Sequence, residues 1–381
     1  MGPLAGVKVI ELAGLGPGPL AGMLLGDMGA DVLRIERPGQ DAAVPRNRDV
    51  TLRGRRTIVL DLKQATHRIH ALELIARADA LIEGFRPGVA EKLGLGPGDC
   101  STVCPRLVYG RATGWGQDGP LALTAGHDIN YIALSGVLHA IGRAEQPPTP
   151  PLNLVGDYGG GALYLALGIT AALYEARGSG LGQVVDAAMV DGAASLMAKF
   201  CSNLAAGQTS LVRGTNILDS GAPFYDVYQC SDREWVAVGA IEPQFHAALL
   251  SGLEINPSMH PSQWDRRRWL DAKRVIAERF RSRTRAEWVS RFEGTDACVT
   301  PVLSVPEALS HPHNRNRAVF FELDGVIQPA PAPRFSRTGN GRPHQWAGEP
   351  ESIAEVLATW GHNATGTSPQ QPRDQQEGLH D

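Results

Sequence analysis

Val7-Lys8-Val9-Ile10-Glu11, the turn Gly14-Leu15-Gly16-Pro17-Gly18-Pro19, a helix-like stretch at 20–28, and Asp31-Val32-Leu33-Arg34-Ile35-Glu36 form one continuous run. A short β run, a glycine/proline turn, a helix and a second β run make a βαβ unit. Its two strands must pair in parallel, because the helix carries the chain back to the starting edge. The pattern continues outward. Residues 57–61, 80–83 and 107–111 are further strand candidates, and a helical segment at 67–78 lies between the first two. Strands spaced this way predict a parallel sheet covered on both faces.

Helices dominate from 126 to about 206, and near Pro223 the pattern changes. Residues 224–230 and 234–240 are β runs split by Ser231-Asp232-Arg233, a hairpin signal. A basic, Trp-bearing helical region follows at 264–283. Thr284-x-x-Glu287 then forms a capping box ahead of another helix. The expected fold is α/β: a Rossmann-like large domain plus a smaller α+β domain. The expected division is 1–200 for the first part of the large domain, 201–224 linker, 225–315 small domain and 316–360 linker with return to the large domain. Residues 361–381 are polar and lack aromatics, and are read as a disordered tail.

A chain of 381 residues, 43% hydrophobic and 20% charged, can bury a large core in two or three domains. Its 44 glycines and 27 prolines are spread among periodic segments, which favours a turn-rich globular enzyme over disorder. A net charge of −4 argues against a general nucleic-acid binder. No basic leader with an apolar core opens the chain and no run of about 18 apolar residues follows, so a cytoplasmic protein without a membrane span is expected. The five cysteines (Cys100, Cys104, Cys201, Cys230, Cys298) contain no C-x-x-C pair and read as reduced thiols, with no metal site expected.

Gly14-x-Gly16-x-Gly18 after the first strand, with Glu36 ending the second, raises a nicotinamide-dependent oxidoreductase as a rival. The fingerprint is incomplete. Pro19 occupies its last position, and Pro17 and Pro19 lack the N–H groups that would cradle a pyrophosphate. A tight turn entering a helix is the simpler reading.

Two stretches carry chemistry. In Gly126-His127-Asp128-Ile129-Asn130-Tyr131, the apolar residues Ile129, Ile132, Ala133, Gly136, Val137 and Ala140 recur at helical spacing. That places His127 at a helix start, as a general base or as an ordinary capping or buried histidine, and Asp128 at the positive end of the helix dipole. In Asn153-Leu154-Val155-Gly156-Asp157-Tyr158-Gly159-Gly160-Gly161, Asp157 precedes a helix expected at 162–177 and ending at Gly178. That helix is apolar nearly all round and reads as buried. Three glycines there would let a ligand approach the backbone. Asp157 is either an N-cap or a carboxyl group tuned by burial to donate a proton. Glu242, after the hairpin, could orient His127, or simply sit in the first turn of the next helix.

Arg37, Arg46, Arg48, Arg53, Arg55, Arg56, Lys63, Arg86 and Lys92 fall in the first quarter, mostly where strands end. Strand ends of an open α/β sheet bind ligands, and guanidinium forks match phosphates, so a polyphosphate ligand is plausible.

With these residues in view, the chain resembles the class III coenzyme A-transferase superfamily and, within it, the α-methylacyl-CoA racemases. The resemblance runs from Leu4 to about Phe335. It is carried by Leu4-Ala5-Gly6-Val7-Lys8-Val9-Ile10-Glu11-Leu12, Gly26-Asp27-Met28-Gly29-Ala30-Asp31-Val32, Asp61-Leu62-Lys63 and Glu83-Gly84-Phe85-Arg86-Pro87-Gly88. Gly114-Trp115-Gly116-Gln117, the 126–131 stretch, Gly182-Gln183-Val184-Val185-Asp186 and His311-Pro312-His313-Asn314-Arg315 complete the set.

The resemblance implies an interlocked homodimer and a 2-methylacyl-CoA substrate. It implies no nucleic-acid or membrane partner and no cofactor, coenzyme A being part of the substrate. It also implies that His127 and Asp157 are the acid/base pair, supported by Glu242 and Asp128. The implied coenzyme A site is Arg37, Leu60, Asp61, Leu62, Lys63, Gly84, Phe85, Arg86, Lys92, Gly126, Asn130 and Tyr131. Lys92 stands where close relatives can carry arginine. The alternative within the superfamily is a transferase that moves coenzyme A between acids through an aspartyl thioester at Asp157. Such relatives typically carry a glycine-rich loop where this chain reads Gly239-Ala240-Ile241-Glu242-Pro243.

Overall fold

Strands β1 (Lys8–Leu12) and β2 (Asp31–Glu36) pair in parallel, with Val9 opposite Val32 and Leu12 opposite Ile35. Helix α1 (Pro17–Asp27) crosses between them. A computed structural model describes residues 2–39, 44–339, 343 and 348–361. Apart from Gly361, the expected tail lies outside the described residues.

The chain continues through β3 (Arg55–Val59), α2 (Ala65–Ile75), β4 (Ala80–Glu83), α3 (Val89–Lys92), α4 (Pro97–Val103) and β5 (Val108–Thr113). Next come α5 (Asp128–Leu134), α6 (Val137–Ala140), a π-helix (Leu154–Ala162), α7 (Leu163–Ser179), β6 (Val184–Ala188), α8 (Met189–Leu196) and α9 (Ala198–Ala205). The six strands form one parallel sheet in the order β3-β2-β1-β4-β5-β6. The order reverses at β1, so the crevice between the β1 and β4 ends is where a ligand is expected.

Successive side chains of each strand point to opposite faces of the sheet, and both faces are covered. Ile10, Leu12, Leu33, Ile35, Leu81 and Tyr109 face one way, against Leu74 and Ile75 of α2 and Cys100 of α4. Val9, Val32, Ala80, Ile82 and Val108 face the other, against Ala21 and Leu25 of α1 and Leu165 and Ile169 of α7. The second antiparallel sheet joins β7 (Tyr225–Gln229), β8 (Trp235–Gly239) and β9 (Val299–Pro301). Helices α10 (Pro243–Gly252), α11 (Trp269–Phe280) and α12 (Arg285–Phe292) pack on it around Phe224, Tyr228, Trp269, Phe280 and Trp288. Thr284 caps α12 as its sequence signals: the Thr284 N–H donates to Glu287 at 2.7 Å. Helices α13 (Val305–Ser310) and α14 (Pro312–Asn316) and the hairpin β10 (Phe320–Leu323)–β11 (Val326–Pro329) lead to α15 (Ile353–Thr359). This segment returns to the first sheet, where Trp360 is 1% exposed and its Nε1 donates to Asp31 at 2.6 Å. No helix among the described residues is long and apolar enough to cross a membrane.

Helices dominate 126–206 as expected, with the unanticipated β6 completing the sheet. Several expectations are corrected. Helix α7 ends two residues late, with Gly180 rather than Gly178 in the left-handed conformation at φ 77°. Nor is α7 buried all round, because Leu163, Leu167 and Tyr174 are 53%, 66% and 82% exposed. Within the Gly159–Gly161 run, packing requires Gly160: a Cβ there would lie 2.6 Å from Ala193 N on α8.

Two members of the arginine cluster, Arg53 and Arg55, are internal, while Arg37, Arg48, Lys63, Arg86 and Lys92 are exposed. Arg55 is 1% exposed and its Nε donates to Glu11 at 2.9 Å, Arg34 pairs with Glu11 and Glu36, and Arg46 pairs with Glu36. Arg53 Nε donates to Asp27 at 3.0 Å, and Arg56 pairs with Asp31 and Glu351. Gly22 of α1 makes room for this network, because a Cβ there would lie 2.7 Å from Glu11 Oε2 and from Arg55 Nη2.

In the second sheet's core, His246 is 7% exposed, 5.8 Å from the Phe224 ring and 6.0 Å from His260. Burial, with the neighbouring His260, pushes His246 down to about 4. The unfolded chain binds that proton more readily, so the stability is complete above about pH 6.5 and is lost as pH falls toward 4, by roughly 3 kcal/mol in full. Urea midpoints of wild type and His246→Phe between pH 7 and 4 should therefore converge on acidification. Parallel pH profiles would exclude His246 as the source.

Candidate active site

Three walls of the site come from strand ends. Strand β1 runs into Leu15, Gly16 and Pro17, where Gly16 holds φ 70° and Pro17 opens α1. Strand β4 ends at Glu83 and delivers Gly84, Phe85 and Arg86, while β5 delivers Thr113, Gly114 and Trp115. With Gly126, His127, Tyr131, Asp157 and Met189 these line a cavity of about 340 Å³. A second cavity of about 420 Å³ lies along the ends of β1, β2 and β3, lined by Arg37, Leu60, Asp61, Leu62 and Lys63 among others. Phe85 stands in both walls. The two spaces flank the crevice that the strand order predicts.

His127 is the N-cap of α5, exposed, and its backbone N–H donates to Asn130 Oδ1 at 3.0 Å. The helix is shorter than its apolar spacing predicts. Gly136 takes φ 85° and breaks it before α6. Tyr131 turns back over the segment, donates its hydroxyl to Gly126 O and meets Trp115 edge-on at 4.8 Å. A Cβ at Gly126 would lie 2.7 Å from the Tyr131 ring, which explains the glycine.

Asp157 sits in the π-helix, a distortion that is frequent at functional sites. Its backbone N–H donates to Asp128 Oδ1 at 2.7 Å, and a Cβ at Gly156 would lie 2.5 Å from that oxygen, so only glycine admits the contact. Burial raises the Asp157 carboxyl above its ordinary value. The amide donated by Asn153 at 3.2 Å works against this rise, the Asp128 charge adds to it, and His127 opposes it. The site thus holds an exposed imidazole and a carboxyl group biased toward keeping its proton.

The cavities bring together His127, Asp157, Gly84, Phe85, Arg86, Gly126 and Tyr131 in one, and Arg37, Leu60, Asp61, Leu62 and Lys63 in the other. Four anticipated residues line neither. Asp128 is buried behind Asp157, Asn130 caps α5, Lys92 is exposed at the end of α3, and Glu242 is the exposed N-cap of α10. The glycine loop, read from sequence as a turn, is a wall of the site: a Cβ at Gly16 would lie 3.4 Å from Asp157 Oδ2. Glu36, the acid a dinucleotide would need, is 5% exposed and ion-paired with Arg34 and Arg46. Thr113 and Met189 carry no sequence signal that would place them here. No cluster of three or more potential metal ligands occurs among the described residues.

The profile of CoA-transferase family III matches residues 4–353. The chain is 50% identical over 337 residues to alpha-methylacyl-CoA racemase of Mus musculus, covering 88% of this chain and 87% of that one. It is 46% identical over 336 residues to alpha-methylacyl-CoA racemase of Homo sapiens, with the same coverage of each. Among solved structures, a CAIB/BAIF family protein from Brucella suis superposes with a TM-score of 0.81 at 25% identity, covering 94% of this chain and 100% of that one. With the parallel sheet and the crevice cavities already in place, this match over nearly the whole chain makes the protein a member of CoA-transferase family III.

Proposed function

We propose that the protein is an α-methylacyl-CoA racemase, an isomerase that interconverts (2R)- and (2S)-2-methylacyl-CoA thioesters by 1,1-proton transfer through an enolate. The observation that carries this reading is that His127 and Asp157 line one cavity and that Phe85 of its wall also lines a second, with Arg37 and Lys63. A nucleotide and its phosphates occupy the second cavity and the pantetheine passes Phe85, which brings the thioester between the two groups. His127 removes the C2 proton from one face and protonated Asp157 supplies one to the other, with roles reversed for the opposite epimer. Backbone N–H groups of the 126–131 segment, or at the start of the glycine-bearing helix, stabilise the enolate oxygen. This route needs no metal or redox cofactor.

An imidazole and a carboxyl group lining one cavity favour this reading over covalent transfer, which needs only the aspartate as nucleophile. The same proposal takes two copies of the chain as the working form in the cytoplasm, with the large and small domains divided near residues 225 and 315. The exposed apolar side chains Leu163, Leu167 and Tyr174 on α7 offer surface for the association. Support of His127 by Glu242 then requires that association, because within one chain Glu242 lies in neither cavity wall.

The test is incubation with a single epimer of a 2-methylacyl-CoA in deuterated water, with and without an acceptor acid. Label at C2 with inversion and no acceptor is the expected result. Thioester exchange only when the acceptor is present would establish the transferase instead.

A further inference from the structure

Arg111 lies on β5 directly across the register from Glu83 of β4, and is 6% exposed. Its Nε donates to Glu83 Oε1 at 2.8 Å. The other end of the same guanidinium donates to both oxygens of Glu91 on α3, at 2.9 and 3.4 Å. Glu83 is 0% exposed, and its second oxygen accepts the Phe85 backbone N–H at 2.7 Å. One planar fork therefore ties together the end of β4, the Gly84–Phe85–Arg86 turn and α3. Asp186 of β6 faces Arg111 from the other side and accepts the Gln117 N–H at 3.2 Å, pinning the loop that follows β5.

A buried ion pair of this kind adds little stability relative to apolar side chains of the same volume. What distinguishes this one is where its spare oxygens point. Glu83 and Asp186 each accept from the backbone of a loop beside the first cavity, and the loop pinned by Glu83 carries Phe85, the residue common to both cavity walls. A mobile Phe85 would blur the wall shared by the two spaces, whereas a fixed one offers the ligand a preformed surface and lowers the ordering cost of binding.

We propose that Arg111, acting through Glu83 and Glu91, is a positioning residue that holds the Phe85 wall for an acyl-CoA ligand, so that affinity rather than the proton-transfer step depends on it. The inference rests on the acyl-CoA reading above. It concerns how the ligand is held, not which reaction follows.

Two full-length variants test it. Glu91→Gln weakens the partly exposed end of the frame without stranding a buried charge. The double variant Glu83→Gln/Arg111→Met removes the buried pair together. For each, the thermal midpoint is recorded first, then the Kd for free coenzyme A by calorimetry, then kcat and KM for deuterium uptake at C2 of a 2-methylacyl-CoA. In folded protein, Kd and KM should both rise about ten-fold, with kcat held within about three-fold. Glu91→Asp, which keeps the charge, should recover part of the affinity. Unchanged Kd and KM in folded variants would overturn the proposal, as would a fall in kcat at constant KM. A wild type that binds coenzyme A without labelling C2 would remove the racemase reading while leaving the Kd comparison valid. A wild type that binds no coenzyme A would overturn both.

Discussion

An Asp157→Asn protein is expected to lose stereoinversion of a 2-methylacyl-CoA by about 10³-fold, within the range assigned to a single well-placed acid/base group. Asparagine has the same shape, and the backbone N–H that donates to Asp128 is untouched, so the π-helix and the cavity wall should survive. Only the transferable proton is gone. His127→Ala should have an effect of the same size, since inversion requires a group on each face. The two variants differ in a useful way: each retains the group for one face only, so residual washout of the C2 hydrogen should favour opposite epimers. In the wild type both directions need one proton shared between His127 and Asp157, so kcat/KM should fall together in the two directions as that proton is lost at high pH or a second is bound at low pH. Chiral analysis of product over time, with deuterium content at C2, reads all of this. An Asp157→Asn protein that inverts the substrate at near wild-type rate would remove Asp157 from the scheme.

The second large effect concerns stability. Glu11→Leu should destabilise the fold by about 3–5 kcal/mol, because it leaves the buried Arg55 guanidinium without its carboxylate. Glu11 is 0% exposed between Arg34 and Arg55, and Arg55 is 1% exposed with only backbone carbonyls as other partners. The double replacement Glu11→Leu/Arg55→Leu should recover much of that loss, since both members of the pair leave together. Urea unfolding of the three proteins measures it. A Glu11→Leu midpoint equal to that of the wild type would show that the network is solvated and that Arg55 is free for a ligand after all.

That network shows where sequence reading stops. Nine basic residues in the first quarter suggested a phosphate site, yet the partners that neutralise two of them, Arg53 and Arg55, lie 26 and 44 residues away. No local pattern reveals such pairing. The parallel core, by contrast, was legible because β1, β2, β4 and β5 are buried on both faces and read as apolar runs. Strand β6 lacked that signal: it is an edge strand whose first three residues are exposed or half-buried. Strand β9 has only three residues, too few for a period to show.

The site was legible in its chemistry and less so in its frame. His127 and Asp157 stand out by type and by their glycine-rich surroundings. A π-helix has no distinct spacing in sequence, and Gly160 packing on α8 looks the same on paper as a glycine that admits a ligand. The apolar residues of α7 predicted a buried helix, but they mark only that the face avoids water. Leu167 and Tyr174 remain exposed on the single chain.

The most direct measurement is a crystal structure with a 2-methylacyl-CoA bound. C2 should lie between the His127 imidazole and the Asp157 carboxyl, one on each face and each about 3–3.5 Å away, with the nucleotide beside Arg37 and Lys63. A bound thioester whose C2 touches only one of the two groups, or neither, would contradict the two-group account.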